Sequence, residues 1–133
     1  MSREIVPWPH PCLKTMAKHV TKITSEILKL WSDMITVMEE MPGVGLAAPQ
    51  LGIGLSLAVV DASLERGQVI RMANPEVLHV SQKIEVSEEA SPNLAYVFSE
   101  IKRPRGITCL LYTSDAADDS LRVDLGGRRI IKK

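Results

Sequence analysis

Residues 43–50 have the sequence GVGLAAPQ and lie between a helical pattern and a strand pattern. Two glycines so close together indicate a tight connection, because glycine adopts backbone conformations that other residues avoid. Without a Cβ, Gly43 and Gly45 also let another backbone approach closely. Glycine pairs are common in tight connections, so the octet gains its meaning from the segments around it.

An amphipathic helix is predicted before the octet, over residues 24–41. The Thr24 side chain can cap its first turn, and Glu26 suits the positive end of the helix dipole. Pro42 and Gly43 end the pattern. Its methionines are expected to fill the core rather than to form a cofactor site. The apolar face recurs at steps of three and four residues: Ile27, Trp31, Met34, Ile35, Met38 and Met41.

Several short strands are predicted after the octet, at residues 55–61, 69–73, 77–80, 83–86 and 101–111. The first is apolar enough to be buried on both faces. Asn74-Pro75 predicts a break, Ser81-Gln82 a hairpin connection between the third and fourth strands, and Pro104 an edge or bulge in the last. A helix followed by antiparallel strands predicts an α+β fold rather than a parallel doubly wound sheet.

Composition limits the classes of function. The 133 residues fit one domain, and 45% hydrophobic residues suffice for a core. Because 16 basic and 16 acidic residues cancel without forming a basic stripe, no nucleic-acid partner is predicted. No apolar run is long enough to span a membrane and no secretory signal is evident, so we expect a cytoplasmic chain without a membrane partner. The oligomeric state stays open.

The octet carries a resemblance to a known family. All eight positions match GxGLAAxQ, the first signature of the peptide deformylases, in the same place between helix and strand. The chain resembles this family from about residue 3 to Thr108, and Asn74-Pro-Glu76 and the strand at Arg103-Pro104 fit it too. The resemblance implies a deformylase-like fold and a metal-dependent hydrolase that removes formyl from the N-terminal formyl-methionine of nascent peptides during protein maturation.

The resemblance also implies roles for individual residues. Gly45 would hydrogen-bond the incoming peptide, Val44 would line the pocket for the methionine side chain, and Gly43 and Leu46 would complete the substrate-binding segment. Gln50 would donate to the formyl oxygen. A fixed donor stabilises the oxyanion that forms there, typically by about 2.7–4 kcal/mol.

The second family signature, EGCLS, is altered. Its counterpart is the segment 89–93, which begins at Glu89 and places Ser91 where the family has a cysteine ligand. A neutral hydroxyl is a poor ligand for Fe²⁺ or Zn²⁺ compared with a thiolate. Pro92 follows, at a position whose backbone N–H is an oxyanion donor in the family, and proline has no N–H.

The third signature, HExxH, is absent from the 133 residues. In the family it supplies two histidine ligands and the general base. Neither His10, His19 and His79 nor Cys12 and Cys109 have the spacing of a metal site. No cofactor is therefore expected for this chain, although the intact family uses Fe²⁺ (or Zn²⁺ or Ni²⁺), and we expect the chain to be catalytically inactive.

The chain is expected to divide at residue 108, into a deformylase-like domain over 1–108 and an unrelated tail over 109–133 that is non-native or poorly ordered. The domain would lack the family's C-terminal metal-binding helix. That helix packs inside the sheet in the family, so apolar strand faces would be exposed without it. Two alternatives stay open: a non-catalytic relic that binds N-terminal peptides, and an incomplete fragment with no activity.

Overall fold

The computed structural model describes residues 3–41, 43–61, 63, 65–104, 106–112, 119–124 and 129–132. One α-helix, α1 (Ser25–Glu40), precedes all the strands, and short 3-10 helices lie at Pro11–Leu13 and Ala48–Leu51. The strands are β1 (Gly45–Ala47), β2 (Leu57–Val60), β3 (Ile70–Val80), β4 (Ile84–Ser91), β5 (Leu94–Pro104), β6 (Gly106–Tyr112), β7 (Asp119–Asp124) and β8 (Arg129–Lys132).

Helix α1 forms as its sequence predicts. The Thr24 side chain accepts a hydrogen bond from the Ile27 amide at 3.3 Å, which satisfies one of the unpaired donors of the first turn. The buried face consists of Ile27, Leu30, Trp31, Met34, Val37 and Met38. Met34 and Met38 are fully buried in the core, so their prediction as core side chains is confirmed.

The strands form one large sheet and one hairpin. The six-stranded sheet has the order β1-β2-β3-β6-β7-β8, and β4 pairs with β5 alone. Every pairing between these strands is antiparallel. Helix α1 packs on the β1–β3 end, where Trp31 Nε1 donates to the Met72 carbonyl of β3 at 3.1 Å. The α+β prediction is confirmed.

The predicted break at Asn74-Pro75 is wrong, because β3 continues through it. Asn74 adopts a positive φ of 52°, and the register between β3 and β6 shifts there. The Asn74 side chain compensates for the irregularity by accepting from the Val20 amide and donating to the Val20 carbonyl, both at 2.7 Å. The proline is therefore accommodated in a bulge rather than at the end of a strand.

The predicted hairpin between residues 77–80 and 83–86 is also wrong. Residues 76–80 of β3 pair with β6, whereas β4 pairs with β5 across the two-residue turn Pro92-Asn93. Alternation predicts that a segment is a strand but does not select its partner, which long-range contacts decide. The interruption predicted at Pro104 is confirmed, since β5 ends there and β6 begins at Gly106.

Large apolar side chains are exposed on the hairpin and on the distal half of β3. Ile84, Val86 and Phe98 lie on one face of the β4–β5 hairpin by its register, and Phe98 is 66% exposed. Val77, Leu78 and Val80 of β3 are about half exposed. Exposed apolar side chains on strands favour association. None of the described helices is long and apolar enough to cross a membrane.

We expect the purified chain to self-associate through this apolar surface. The double variant Val86→Lys with Phe98→Glu should elute as a smaller species in size-exclusion chromatography with light scattering, because burying these charges in an apolar contact is costly. Leu28→Lys, on the exposed side of α1, is the matched control and should leave association unchanged. A wild-type chain that is monomeric at high concentration, with a sharp thermal transition, would contradict the expectation.

Candidate functional site

The octet forms strand β1 and the 3-10 helix that follows it, at one edge of the large sheet. The Asp61 amide donates to the Val44 carbonyl at 2.8 Å, which directs the backbone groups of Val44 toward β2. Since backbone direction alternates along a strand, Gly45 and Ala47 turn their N–H and C=O groups to the opposite, unpaired side. Among the described residues, the N–H and C=O of Gly45 have no hydrogen-bond partner.

The side chains of the octet divide between core and surface. Val44 is half exposed beside the unpaired edge, whereas Leu46 is buried in the core with α1. A Cβ added to Gly45 would meet the Val59 carbonyl oxygen at 3.6 Å, an ordinary contact. The packing of the described residues therefore does not require glycine at position 45. The binding roles predicted for residues 43–46 stay predictions.

Gln50 lies half-buried in the 3-10 helix, and its amide is held at both ends. Its Oε1 accepts from the Ala47 amide at 2.9 Å, and its Nε2 donates to Asn93 Oδ1 at 2.7 Å. The Ala47 N–H is thus satisfied locally, which leaves Gly45 as the outward-facing residue of β1 with open backbone groups. The predicted oxyanion role of Gln50 stays a prediction, and one hydrogen of its Nε2 is already engaged.

Asn93 is the residue that sequence analysis missed. It is 7% exposed, and its Nδ2 donates to the carbonyls of Val6 at 2.7 Å and Gln50 at 3.0 Å. The main-chain carbonyl of Asn93 accepts a hydrogen bond from the Trp8 amide at 2.7 Å. Asn93 therefore joins the N-terminal segment, the octet and the turn of the β4–β5 hairpin. Its position after Pro92 indicates a turn, but no sequence pattern shows which distant groups it bonds.

The segment predicted to be the altered second signature lies on this hairpin. Ser91 Oγ donates to Asn93 Oδ1 and accepts from the Asn93 amide, both at 3.3 Å, so its hydroxyl belongs to the turn. Pro92 is exposed in the turn itself. Arg103 donates to both carboxylate oxygens of Glu89, at 2.7 and 2.8 Å, and this pairing lowers the pKa of Glu89. The pair is partly exposed, so its contribution to stability is small.

A buried carboxylate, that of Asp61, lies at the end of β2 next to the octet. Asp61 is fully buried and accepts from the Ser63 amide and hydroxyl and from the Gly67 amide at 2.8 Å. Burial opposes its ionisation, but these hydrogen bonds and the nearby Arg66 charge together hold the pKa of Asp61 below its usual value. Arg66 in turn donates to the Gly43 carbonyl at 2.8 Å. Nothing in the sequence distinguishes Asp61 from an ordinary strand end.

The described residues do not fit a metal ion of the family's kind. His10 accepts from the Cys12 amide, His19 contacts the Asn74 side chain at 3.3 Å, and His79 is exposed on β3. Within the described ranges, no three His, Cys, Asp or Glu side chains form a group that could hold a metal. The donor that the hairpin offers beside Gln50 is the neutral Ser91 hydroxyl, a weak ligand for transition metals.

Comparison with known proteins gives the same family as the octet predicts. The peptide deformylase of Bartonella henselae is 36% identical in an alignment 128 residues long that covers 90% of this chain and 72% of that protein. That of Afipia carboxidovorans is 36% identical over 107 residues, and this chain spans 63% of its length. The crystal structure of peptide deformylase from Thermotoga maritima is similar with a TM-score of 0.85 at 30% identity, covering 93% of this chain and 82% of that one.

The polypeptide deformylase family model matches residues 2–126, which include the octet, the Asn93 hairpin and all of β1–β7. The match extends past the domain boundary predicted at residue 108, and β6 crosses the same point before pairing with β7. The boundary itself stays a prediction. With the octet at the sheet edge, the strand order around it and the family match in agreement, the chain belongs to the peptide deformylase family.

Proposed function

We propose that this chain binds the N-terminal part of a formyl-methionyl peptide along the β1 edge and does not itself remove the formyl group. The observation that carries the proposal is the outward-facing backbone of Gly45 next to the oriented amide of Gln50. The first supplies a donor and an acceptor for a peptide backbone. The second supplies a donor for the acyl oxygen at the peptide's N-terminus.

Strand addition is the mode of binding that this edge supports. β1 has a neighbour only on its β2 side within the described sheet, so an extended peptide can pair on the other side. Backbone hydrogen bonds would give affinity, and side-chain pockets would give specificity. The half-exposed Val44 lies beside the edge, where it could contact an apolar side chain such as methionine.

The proposed lack of hydrolysis rests on the residues at the catalytic positions. When bound in the family, the metal supplies an activated water for attack on the formyl carbon. In this chain the Ser91 hydroxyl is bonded to Asn93, and Pro92 has no N–H for an oxyanion. The sequence also lacks the His-Glu-x-x-His pattern that would contribute two ligands and a base.

An activity assay tests the second half of the proposal. We expect the purified chain, with Fe²⁺ or Ni²⁺ added, to release no formate from formyl-Met-Ala above the buffer rate. The deformylase of Thermotoga maritima, assayed in parallel, is the positive control. Metal-dependent formate release by this chain that scales with protein concentration would refute the proposed inactivity.

A binding titration tests the first half. Formyl-Met-Ala should bind with a dissociation constant of about millimolar or lower. Gly45→Ala should weaken this binding, because the added methyl hinders the approach of the peptide backbone to the β1 edge. The fold should tolerate this methyl, since its protein contacts are ordinary ones. Gly54→Ala is the matched control, because a Cβ there meets nothing within 4 Å. Absence of binding at millimolar peptide would remove the proposal.

A further inference from the structure

The side chain of Asn93 uses its whole hydrogen-bonding capacity. Its Nδ2 donates to the Val6 and Gln50 carbonyls, and its Oδ1 accepts from Gln50 Nε2 and from the Ser91 hydroxyl. An amide has two donor hydrogens and two acceptor lone pairs, so no capacity is left over. Because all its hydrogen-bonding groups are engaged and it is only 7% exposed, the Asn93 side chain is fixed in one orientation.

These bonds determine which way the Gln50 amide faces. The Ala47 N–H can only donate, so the atom of Gln50 next to it must be the oxygen. Asn93 turns its NH₂ group to two carbonyls, so the atom it offers to Gln50 must also be an oxygen, and Gln50 must donate to it. One Nε2 hydrogen of Gln50 is therefore consumed by Asn93, and one is left.

We propose that Asn93 is a positioning residue for recognition of an acylated peptide N-terminus, acting by fixing the Gln50 amide with a single donor hydrogen available to the ligand. This inference rests on the proposed function, since it concerns the same edge. In this proposal Asn93 does not contact the peptide itself. Its effect reaches the peptide only through Gln50.

The chemistry of the remaining hydrogen defines the ligand class. A donor fixed at this place favours an acceptor such as the carbonyl oxygen of a formyl group. A free N-terminal ammonium group is itself only a donor, so it gains nothing from Gln50 and loses part of its hydration. Asn93 should thus contribute to the preference for formylated over free N-termini, while backbone pairing at Gly45 contributes equally to both.

The experiment compares formyl-Met-Ala with Met-Ala on the full chain. Wild type should prefer the formylated peptide, and Asn93→Ala should lower that preference about tenfold, because an unanchored amide loses roughly one net hydrogen bond. Binding of Met-Ala should change little. Ser87→Ala, exposed on the same hairpin, is the matched control and should keep the preference. A folded Asn93→Ala variant with an unchanged preference would overturn the inference.

A second measurement keeps the inference testable if Asn93→Ala does not fold. In the wild-type NMR spectrum, the two Nε2 hydrogens of Gln50 should exchange with water at clearly different rates, since Asn93 protects one of them. Equal and fast exchange would overturn the inference. Failure of formyl-Met-Ala to bind wild type would instead overturn the proposed function, and the exchange rates would still show whether Asn93 holds Gln50.

Discussion

Trp31→Ala should lower the free energy of unfolding by about 3–5 kcal/mol, the usual cost of removing a large buried aromatic side chain. Trp31 is fully buried where α1 packs on the sheet. Its loss would leave a cavity and would remove the donor to the Met72 carbonyl of β3. Small domains have only about 5–15 kcal/mol of stability in total, so the variant should lose much of its cooperative thermal transition.

Two further variants of α1 separate cavity formation from a general effect of changing the helix. Trp31→Phe should cost less than the alanine variant, because it keeps most of the buried area and loses mainly the hydrogen bond. Leu28→Ala lies on the exposed face and should change stability by well under 1 kcal/mol. Denaturant unfolding followed by circular dichroism measures all three. A Trp31→Ala chain as stable as Leu28→Ala would show that the α1–sheet core is misassigned.

Asp61→Asn should destabilise the chain by about 3 kcal/mol although it is nearly isosteric. The Asp61 carboxylate accepts hydrogen bonds from Ser63 and from the Gly67 amide. An asparagine must turn its NH₂ group toward some of these donors, which leaves buried N–H groups facing each other. The loop that carries Arg66 would loosen, and with it the hydrogen bond to the Gly43 carbonyl of the octet.

The effect of Asp61→Asn should depend on pH in a defined direction. The pKa of Asp61 is lowered in the folded chain, whereas it is about 3.9 in an unfolded one. Its stabilising contribution is therefore fully present above about pH 4 and is lost as pH falls through the lower, folded-state pKa. The difference in unfolding free energy between wild type and Asp61→Asn should be largest near pH 7 and should narrow in acid.

Asp33→Asn is the control for the loss of a negative charge. Asp33 pairs with Arg3 at 3.2 Å on a partly exposed surface, so its substitution should have a small effect. Urea unfolding at pH 7 and pH 3 would compare the three chains. A difference between wild type and Asp61→Asn that stays constant across this range would mean that folding does not lower the pKa of Asp61.

Local patterns were sufficient to predict the helix and the strands β2, β3, β4 and β6, but not β1, β7, β8 or the first part of β5. The cap at Thr24 and the apolar face of α1 depend on residues within one or two turns, and both occur as predicted. The partners of the strands were not predictable in the same way. β4 has the same alternation whether it pairs with β3 or β5, and only contacts between distant segments favour β5.

The residues of the candidate site were also only partly predictable from the sequence. The octet and Gln50 are evident in the sequence because the signature is contiguous. Asn93, Asp61 and Arg66 are not, because their partners lie far away in the chain or are backbone groups of any residue type. Asn93 bonds Val6, 87 residues before it, through a main-chain carbonyl that carries no side-chain identity.

By itself, the sequence determined the family and the amphipathic helix, and it predicts the loss of the usual ligand and N–H at Ser91 and Pro92, since these features depend on the identity of residues that are close together in the chain. Only the tertiary structure decided that β1 is a sheet edge with Gly45 facing outward, and that Asn93 fixes the amide of Gln50. Backbone direction and amide orientation are set by hydrogen bonds between distant segments, which arise only when the chain has folded.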